Sequence, residues 1–194
     1  MGGVSGVPGF VPSSVRGRLL VATPPLVDPN FDRTVVLVLE HSENGALGII
    51  INRPSDRAVA DVVPGWADLA GDPAVLFEGG PVEPEAVIAL ARGTSSEATD
   101  GWAPLLGNVG TIDLLKEPYE LGTAIDTVRL FAGYAGWGGG QLESELASGA
   151  WLLAEAADDD AFRADADGLW RSVLARQHGR LAWLANFPDD PSVN

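Results

Sequence analysis

The sequence predicts an α+β protein built on a strongly curved, mainly antiparallel sheet, and three features of its 194 residues carry that expectation. Short β-rich runs outnumber segments of helical pattern. Several successive runs are joined by turns too short for a crossover helix, which favours antiparallel neighbours. Two of the runs are apolar at consecutive positions, the pattern of strands covered on both faces and therefore central in a sheet.

Residues 17–23 (GRLLVAT) read as a first strand that Pro24 and Pro25 stop, since proline cannot donate to a ladder. In LVDPNFDRT, Asp28 ahead of Pro29 has the form of an N-cap with proline at the first helical position, so one helical or tight turn is expected. Residues 33–41 (RTVVLVLEH) and 46–52 (ALGIIIN) are the two continuous apolar strands, joined by the hairpin loop Ser42-Glu43-Asn44-Gly45. Arg53-Pro54-Ser55 ends the hairpin, and 58–63 carries a weak helical pattern. Two further strands, 74–78 and 86–91, flank the turn Gly79-Gly80-Pro81. Residues 92–104 read as a polar loop, and 111–126 as mixed and partly helical up to Pro118. A strand over 128–134 feeds a turn holding Gly133, Gly136, Gly138, Gly139 and Gly140, and a helix opens at 141–146. A strand at 150–154 and a helix capped by Asp165 or Asp167 and ended by Gly179 complete the order. The expected organisation is one domain over 16–186 between a flexible tail, 1–15, and a C-terminal tail, 187–194.

Composition restricts the chemistry. There is no cysteine, so no disulfide, thiol nucleophile or thiolate metal site, and with only His41 and His178 no histidine-built metal centre is expected. Residues 1–15 lack the basic start and apolar core of a signal peptide, and apolar runs elsewhere are too short to cross a bilayer. The expectation is a cytoplasmic protein with no cofactor. A formal charge of −15 repels phosphate backbones and anionic membranes, so nucleic-acid binding would need a strong local basic patch. The best one joins Arg171, Arg176, His178 and Arg180 with Trp170 and Trp183, and it reads as the solvated side of a helix whose buried stripe is Leu169, Val173 and Leu174.

The glycine corner is either a tight packing joint or a binding loop, because glycine reaches positive φ and lets another backbone come close. A dinucleotide fingerprint fails on spacing, with Gln141 and Glu143 where glycine is required, and no phosphate-loop lysine follows. Glu143 and Glu145 would also compete with a phosphate for the helix N-terminus. The packing joint is the favoured reading. Asp165-Ala166-Asp167-Gly168 is not a calcium loop, since Arg163 and Leu174 stand at its first and last ligand positions. Asp158-Asp159-Asp160 reads as a solvated charge run. No G-x-S-x-G elbow accompanies a histidine, and of the two, His41 is the better candidate base because hairpin pairing sets it across from Ala46 at the sheet rim.

The segments GRLLVATPPLVDPNFDRTVVLVLEH, GALGIIINRP, FEGGPV and GYAGWGGGQLESEL resemble, in order, the signature blocks of the AlgH/YqgE family of bacterial proteins, and the ending FPDDPSVN is similar too. One departure is Gly139, where many members carry proline. The resemblance implies an α+β domain whose sheet bends into a pseudo-barrel flanked by helices. It brings the label of transcriptional regulator but no catalytic residues. The polar residues of the blocks, Asp28, Asn30, Arg33, His41, Asn52, Arg53, Glu78, Tyr134, Trp137 and Gln141, form the candidate surface for a partner or ligand. Many of them could equally be turn caps and satisfied buried groups. The expected function is a non-enzymatic interaction or regulatory protein acting through a protein partner. The alternative is a small-molecule binder or enzyme with a pocket near the glycine corner, where Arg33 or Arg53 holds an anionic group. Direct DNA binding ranks third.

Overall fold

A computed structural model describes residues 13–24, 26, 28–177 and 179–186. Its strands are β1 (Arg18–Ala22), β2 (Val35–Ser42), β3 (Gly45–Ile50), β4 (Pro54–Ala58), β5 (Val75–Glu78), β6 (Val82–Gly93), β7 (Trp102–Leu106), β8 (Val109–Ile112), β9 (Ile125–Gly138) and β10 (Trp151–Glu155). Three short α-helices, α1 (Val59–Val62), α2 (Gln141–Ala147) and α3 (Leu169–Ala175), and several 3-10 turns accompany them. The strand order is β10-β1-β2-β3-β9-β6-β8-β7, and β4 joins through β5. Pairing is antiparallel throughout except between β5 and β9. This is the expected α+β class with a curled, mainly antiparallel sheet.

The alternation of side chains on β2 explains its continuous apolar run. Val35, Leu37 and Leu39 enter a core shared with Phe77, Phe131 and the buried face of α3, while Val36 and Val38 enter a second core under Trp137, Leu142 and Trp151. Both faces are therefore covered, as the sequence predicts for a central strand. A third cluster, including Trp66, Leu76, Trp102 and Leu130, covers the outer face of the other half of the sheet. On α3, Leu169, Val173 and Leu174 form the buried stripe.

β9 organises the sheet. Its first half pairs β6 on one edge and β5 on the other, with Phe77 opposite Phe131 and Glu78 opposite Ala132. Beyond Gly133 the second edge pairs β3 instead, from Gly48 opposite Ala135 to Gly45 opposite Gly138. The sheet thus forks where β3 and β5 part, and the Gly79-Gly80 turn runs through the fork. There Gly79 N–H donates to the Ala132 carbonyl at 2.7 Å, and Ile50 N–H donates to the Gly79 carbonyl at 2.8 Å.

Glycine is required at this fork. Gly133 lies at φ 72. A Cβ there would overlap the Gly80 carbonyl oxygen and sit 2.9 Å from that of Val82, while one on Gly80 would sit 2.6 Å from the Ala135 nitrogen. Gly136 and Gly138 have no such neighbour, their nearest atoms being side-chain atoms at 3.8 and 3.9 Å. The glycine corner is therefore a strand crossing between two sheet halves and not a single turn: Gly133, Gly136 and Gly138 are within β9.

Several local expectations need correction. The hairpin turn is Glu43-Asn44, because Ser42 and Gly45 are themselves paired. Residues 92–104 are not one loop and 111–126 are scarcely helical: β7 and β8 form a hairpin there, and only 118–120 make a 3-10 turn. Pro104 inside β7 and Gly110 inside β8 break the strand pattern and hide both from a local reading. Arg53-Pro54-Ser55 leads into β4, an edge strand tolerant of proline. The cap of α3 is Gly168, whose N–H donates to Asp165 Oδ1 at 3.1 Å, and the helix ends at Ala175, short of Gly179. Val15, at the end of the expected tail, is fully buried, while 1–12 and 187–194 lie outside the described residues. No helix among the described residues is long and apolar enough to cross a membrane.

Candidate functional site

The fork opens into a cleft of about 350 Å³. Ile50, Phe77 and Ala132 form its base, and Pro81 and Pro84 an apolar wall. Asn30, Arg53, Ser55, Asp56, Arg57, Glu78 and Glu85 supply its polar rim. Three of the ten residues singled out from the sequence thus meet here: Asn30, Arg53 and Glu78.

Arg53 does not present its guanidinium to a ligand. Its Nη1 donates to the Asn30 carbonyl at 2.7 Å and its Nη2 to those of Asp32 at 3.2 Å and Pro29 at 3.4 Å. It clamps the loop before β2. Its neighbour Asn52, only 8% exposed, completes the clamp by accepting the Val35 N–H at 2.8 Å and donating to the Arg33 carbonyl at 2.9 Å. Asp28 Oδ1 accepts the Asn30 N–H at 2.9 Å within the same loop. These bonds hold Arg33 in the left-handed region at φ 52, with its guanidinium 5.2 Å from the centre of the Trp170 ring. The expectation that Arg33 or Arg53 holds an anion is thus opposed by geometry, since one is stacked on an indole and the other is engaged by carbonyls.

Among the described residues, the other non-glycine residue at positive φ is Glu83, at φ 46. It stands between the cleft-lining Pro81 and Pro84. Burial first, then the neighbouring Glu83 carboxylate, raise the Tyr134 phenol above its ordinary value. Both strained positions therefore adjoin the cleft, Arg33 in the loop before β2 and Glu83 at the start of β6. Such strain persists only where surrounding bonds over-determine the backbone, and it concentrates at binding sites.

His41, Trp137 and Gln141 lie at the junction of the hairpin with α2. The His41 imidazole, 4% exposed, accepts the Val15 N–H at Nδ1 (3.1 Å) and so carries its proton on Nε2, which donates to Glu143 Oε1 at 2.8 Å. Both nitrogens are committed, so His41 has no free lone pair for general-base chemistry. It does stand opposite Ala46, as the hairpin reading requires. Glu145 Oε2 accepts the indole N–H groups of Trp137 at 2.9 Å and Trp151 at 2.8 Å, and Oε1 accepts from Gln141 Nε2 at 2.9 Å. Gln141 Oε1 in turn accepts the Gly138 N–H at 3.1 Å. These contacts fasten α2 to the sheet.

Glu143 gives this junction a pH dependence. A hydrogen bond from its own backbone N–H, then one from His41, hold its carboxyl below the ordinary value. A depressed folded-state pKa means stability that is present above the unfolded pKa of about 4.3 and lost as pH falls through the folded value. Urea midpoints should therefore show wild type more stable than Glu143→Gln near neutral pH. The gap should close as pH falls below the ordinary carboxylate range and Glu143 protonates.

The basic patch of the last helical region is not a free row. Trp170 is buried and its Nε1 donates to the Ala22 carbonyl at 2.8 Å, while Arg176 pairs with Asp160 at 2.5 Å. Asp160 is itself buried, so the acidic run at 158–160 is not wholly a solvated one. His178 lies outside the described residues, as do the side chains of Arg180 and Trp183.

Sequence reasoning missed the far rim of the cleft, Asp56, Arg57, Pro84 and Glu85, because Asp56 and Arg57 fall between the hairpin end and the weak helical segment, and Pro84 and Glu85 between the Gly79-Gly80-Pro81 turn and the next strand. The recurrence of proline at Pro81 and Pro84 was the available signal. It also missed Glu145, weighed only for its charge, and Arg129, which lay inside an apolar strand.

A curled α+β half-barrel with a rim cleft at the fork of its sheet is the class that this fold and geometry define. The chain belongs to the AlgH-like family, whose profile matches residues 19–182. It is 50% identical over 186 residues to a UPF0301 protein of Streptomyces avermitilis, covering 94% of this chain and 96% of that one. A UPF0301 protein of Thermobifida fusca is 45% identical over 190 residues, covering 93% and 96%. A crystal structure of a Corynebacterium diphtheriae protein superposes with a TM-score of 0.81 at 31% identity, over 89% of this chain and 92% of that one. The solution structure of AlgH from Pseudomonas aeruginosa gives 0.66 at 30% identity, over 95% and 100%.

Proposed function

We propose that this chain is a non-enzymatic interaction protein of the cytoplasm that engages a protein partner at the fork cleft, and that any effect on transcription is exerted through that partner. The observation that carries this reading is that two strained backbones adjoin one concave site: Arg33 lies in the loop whose Asn30 carbonyl the lining Arg53 holds, and Glu83 stands between the lining Pro81 and Pro84. Pre-organised loops lose less entropy on binding, so their strain favours a docking role. The formal charge of −15 opposes direct contact with DNA. A small-molecule ligand is the second reading, favoured by a volume within the ~300–1,000 Å³ range of such sites.

The test is affinity purification of the tagged chain from cells of its source, with Arg57→Glu/Glu78→Lys as the cleft variant and Glu97→Lys as an exposed control remote from the cleft. A stoichiometric partner should be retained by wild type and the control and lost from the cleft variant. A partner held equally by all three, or substrate turnover abolished by a single rim substitution, contradicts the reading.

A further inference from the structure

We infer that the cleft's occupant is a short basic segment of the partner, with an apolar side chain seated between its cations; this rests on the docking reading above. The rim carboxylates Asp56, Glu78 and Glu85 are exposed, and none forms a hydrogen bond or ion pair with the described residues. They differ in this from Asp28 on the loop before β2, whose carboxylate caps its own loop. Of the two lining cations, Arg53 is turned to the loop carbonyls, which leaves Arg57 as the cation facing the opening. Between the carboxylates the apolar wall of Pro81 and Pro84 faces the base at Ile50 and Phe77.

The surroundings reinforce this charge. Residues 54–126, which supply β4 to β8 and both outer walls of the cleft, carry thirteen carboxylates against Arg57, Arg92 and Lys116. Arg92 is paired with Asp159 and Lys116 with Asp100, so neither offsets the cleft's field. A second copy of the chain, also at −15, would meet repulsion at long range, and an acidic or phosphorylated segment would meet it at the rim. Lysine or arginine flanking an apolar residue satisfies both the rim and the wall.

The test uses the intact chain and a labelled peptide of alternating lysine and valine, with a glutamate–valine peptide as control, read by fluorescence anisotropy. The cleft variant is Asp56→Asn/Glu78→Gln/Glu85→Gln. The control is Asp113→Asn/Glu117→Gln/Glu120→Gln, which removes equal charge from the same half of the sheet away from the cleft. All six side chains are at the surface or in loops, and circular dichroism checks that both variants keep the fold. Binding of the basic peptide should weaken by at least about tenfold in the cleft variant and by less than about twofold in the control. Equal weakening in both, no binding of the basic peptide, or equal binding of the acidic one overturns the proposal. If the peptide fails while the cellular complex still depends on Arg57 and Glu78, the docking reading survives and only the basic occupant falls.

Discussion

Gly133→Ala should destabilise the protein by about 2–5 kcal/mol. A left-handed backbone costs an L-residue roughly 1–2 kcal/mol, and forcing a methyl into a filled site about 1–3 more. Both apply at φ 72 with the Gly80 and Val82 carbonyls against the new Cβ. These carbonyls are backbone atoms inside a strand crossing, so no side chain can swing away. Gly136→Ala, three residues along the same strand, should change stability by no more than about 0.5 kcal/mol, since its nearest atom is a tyrosine carbon at 3.8 Å. Urea unfolding of the two variants separates a packing joint from a ligand loop. Equal effects at both positions would contradict the assignment of Gly133 to the fork.

Arg129→Ala should destabilise the protein by about 3–5 kcal/mol, through a mechanism absent at the glycines. Arg129 is 2% exposed on the strand that forms the fork. Its Nη1 donates to the carbonyls of Arg163 at 2.8 Å and Ala161 at 3.3 Å, its Nη2 to that of Asp72 at 2.6 Å, and its guanidinium carbon lies 4.4 Å from the Phe77 ring centre. One side chain thereby ties the loop before β5 to the segment before α3. Burial pulls the guanidinium down to about 10, with Asp72 opposing and Arg92 adding to the shift. The charge is thus desolvated and held chiefly by carbonyl dipoles and an aromatic face. Its loss orphans those carbonyls and leaves a cavity. Arg129→Lys should recover only part of the stability, because a single ammonium cannot span both loops. An Arg129→Met variant as stable as wild type would show that the hydrogen bonds merely offset the desolvation.

The sheet was legible wherever apolar residues follow one another. Val35 to Leu39 and Leu47 to Ile51 announce central strands, and the stripe of Leu169, Val173 and Leu174 announces the buried face of α3. Strands interrupted by a turn-forming residue, as β7 is by Pro104 and β8 by Gly110, carry no comparable signal, so they do not read as strands. The candidate site was legible in part. Asn30, Arg53 and Glu78 were found as polar residues of recurring blocks, yet their roles were not: the Arg53 charge looks like an anion anchor until the carbonyls of Pro29, Asn30 and Asp32 are seen around it. Whether a side chain is consumed by its own fold depends on partners far away in the chain. His41 and Glu143 are 102 residues apart. Asp56 and Glu85 enter the site only because β9 draws β5 and β6 to its two edges, a consequence of pairing that no local pattern encodes.

The docking role of the cleft is tested most directly by photocross-linking in living cells, with a benzophenone amino acid placed at Pro84 on the cleft wall or at Leu115, 96% exposed on a loop outside the cleft. The account predicts one discrete light-dependent protein adduct at residue 84 and none of that mass at 115. The same adduct from both positions, or from 115 alone, would contradict it.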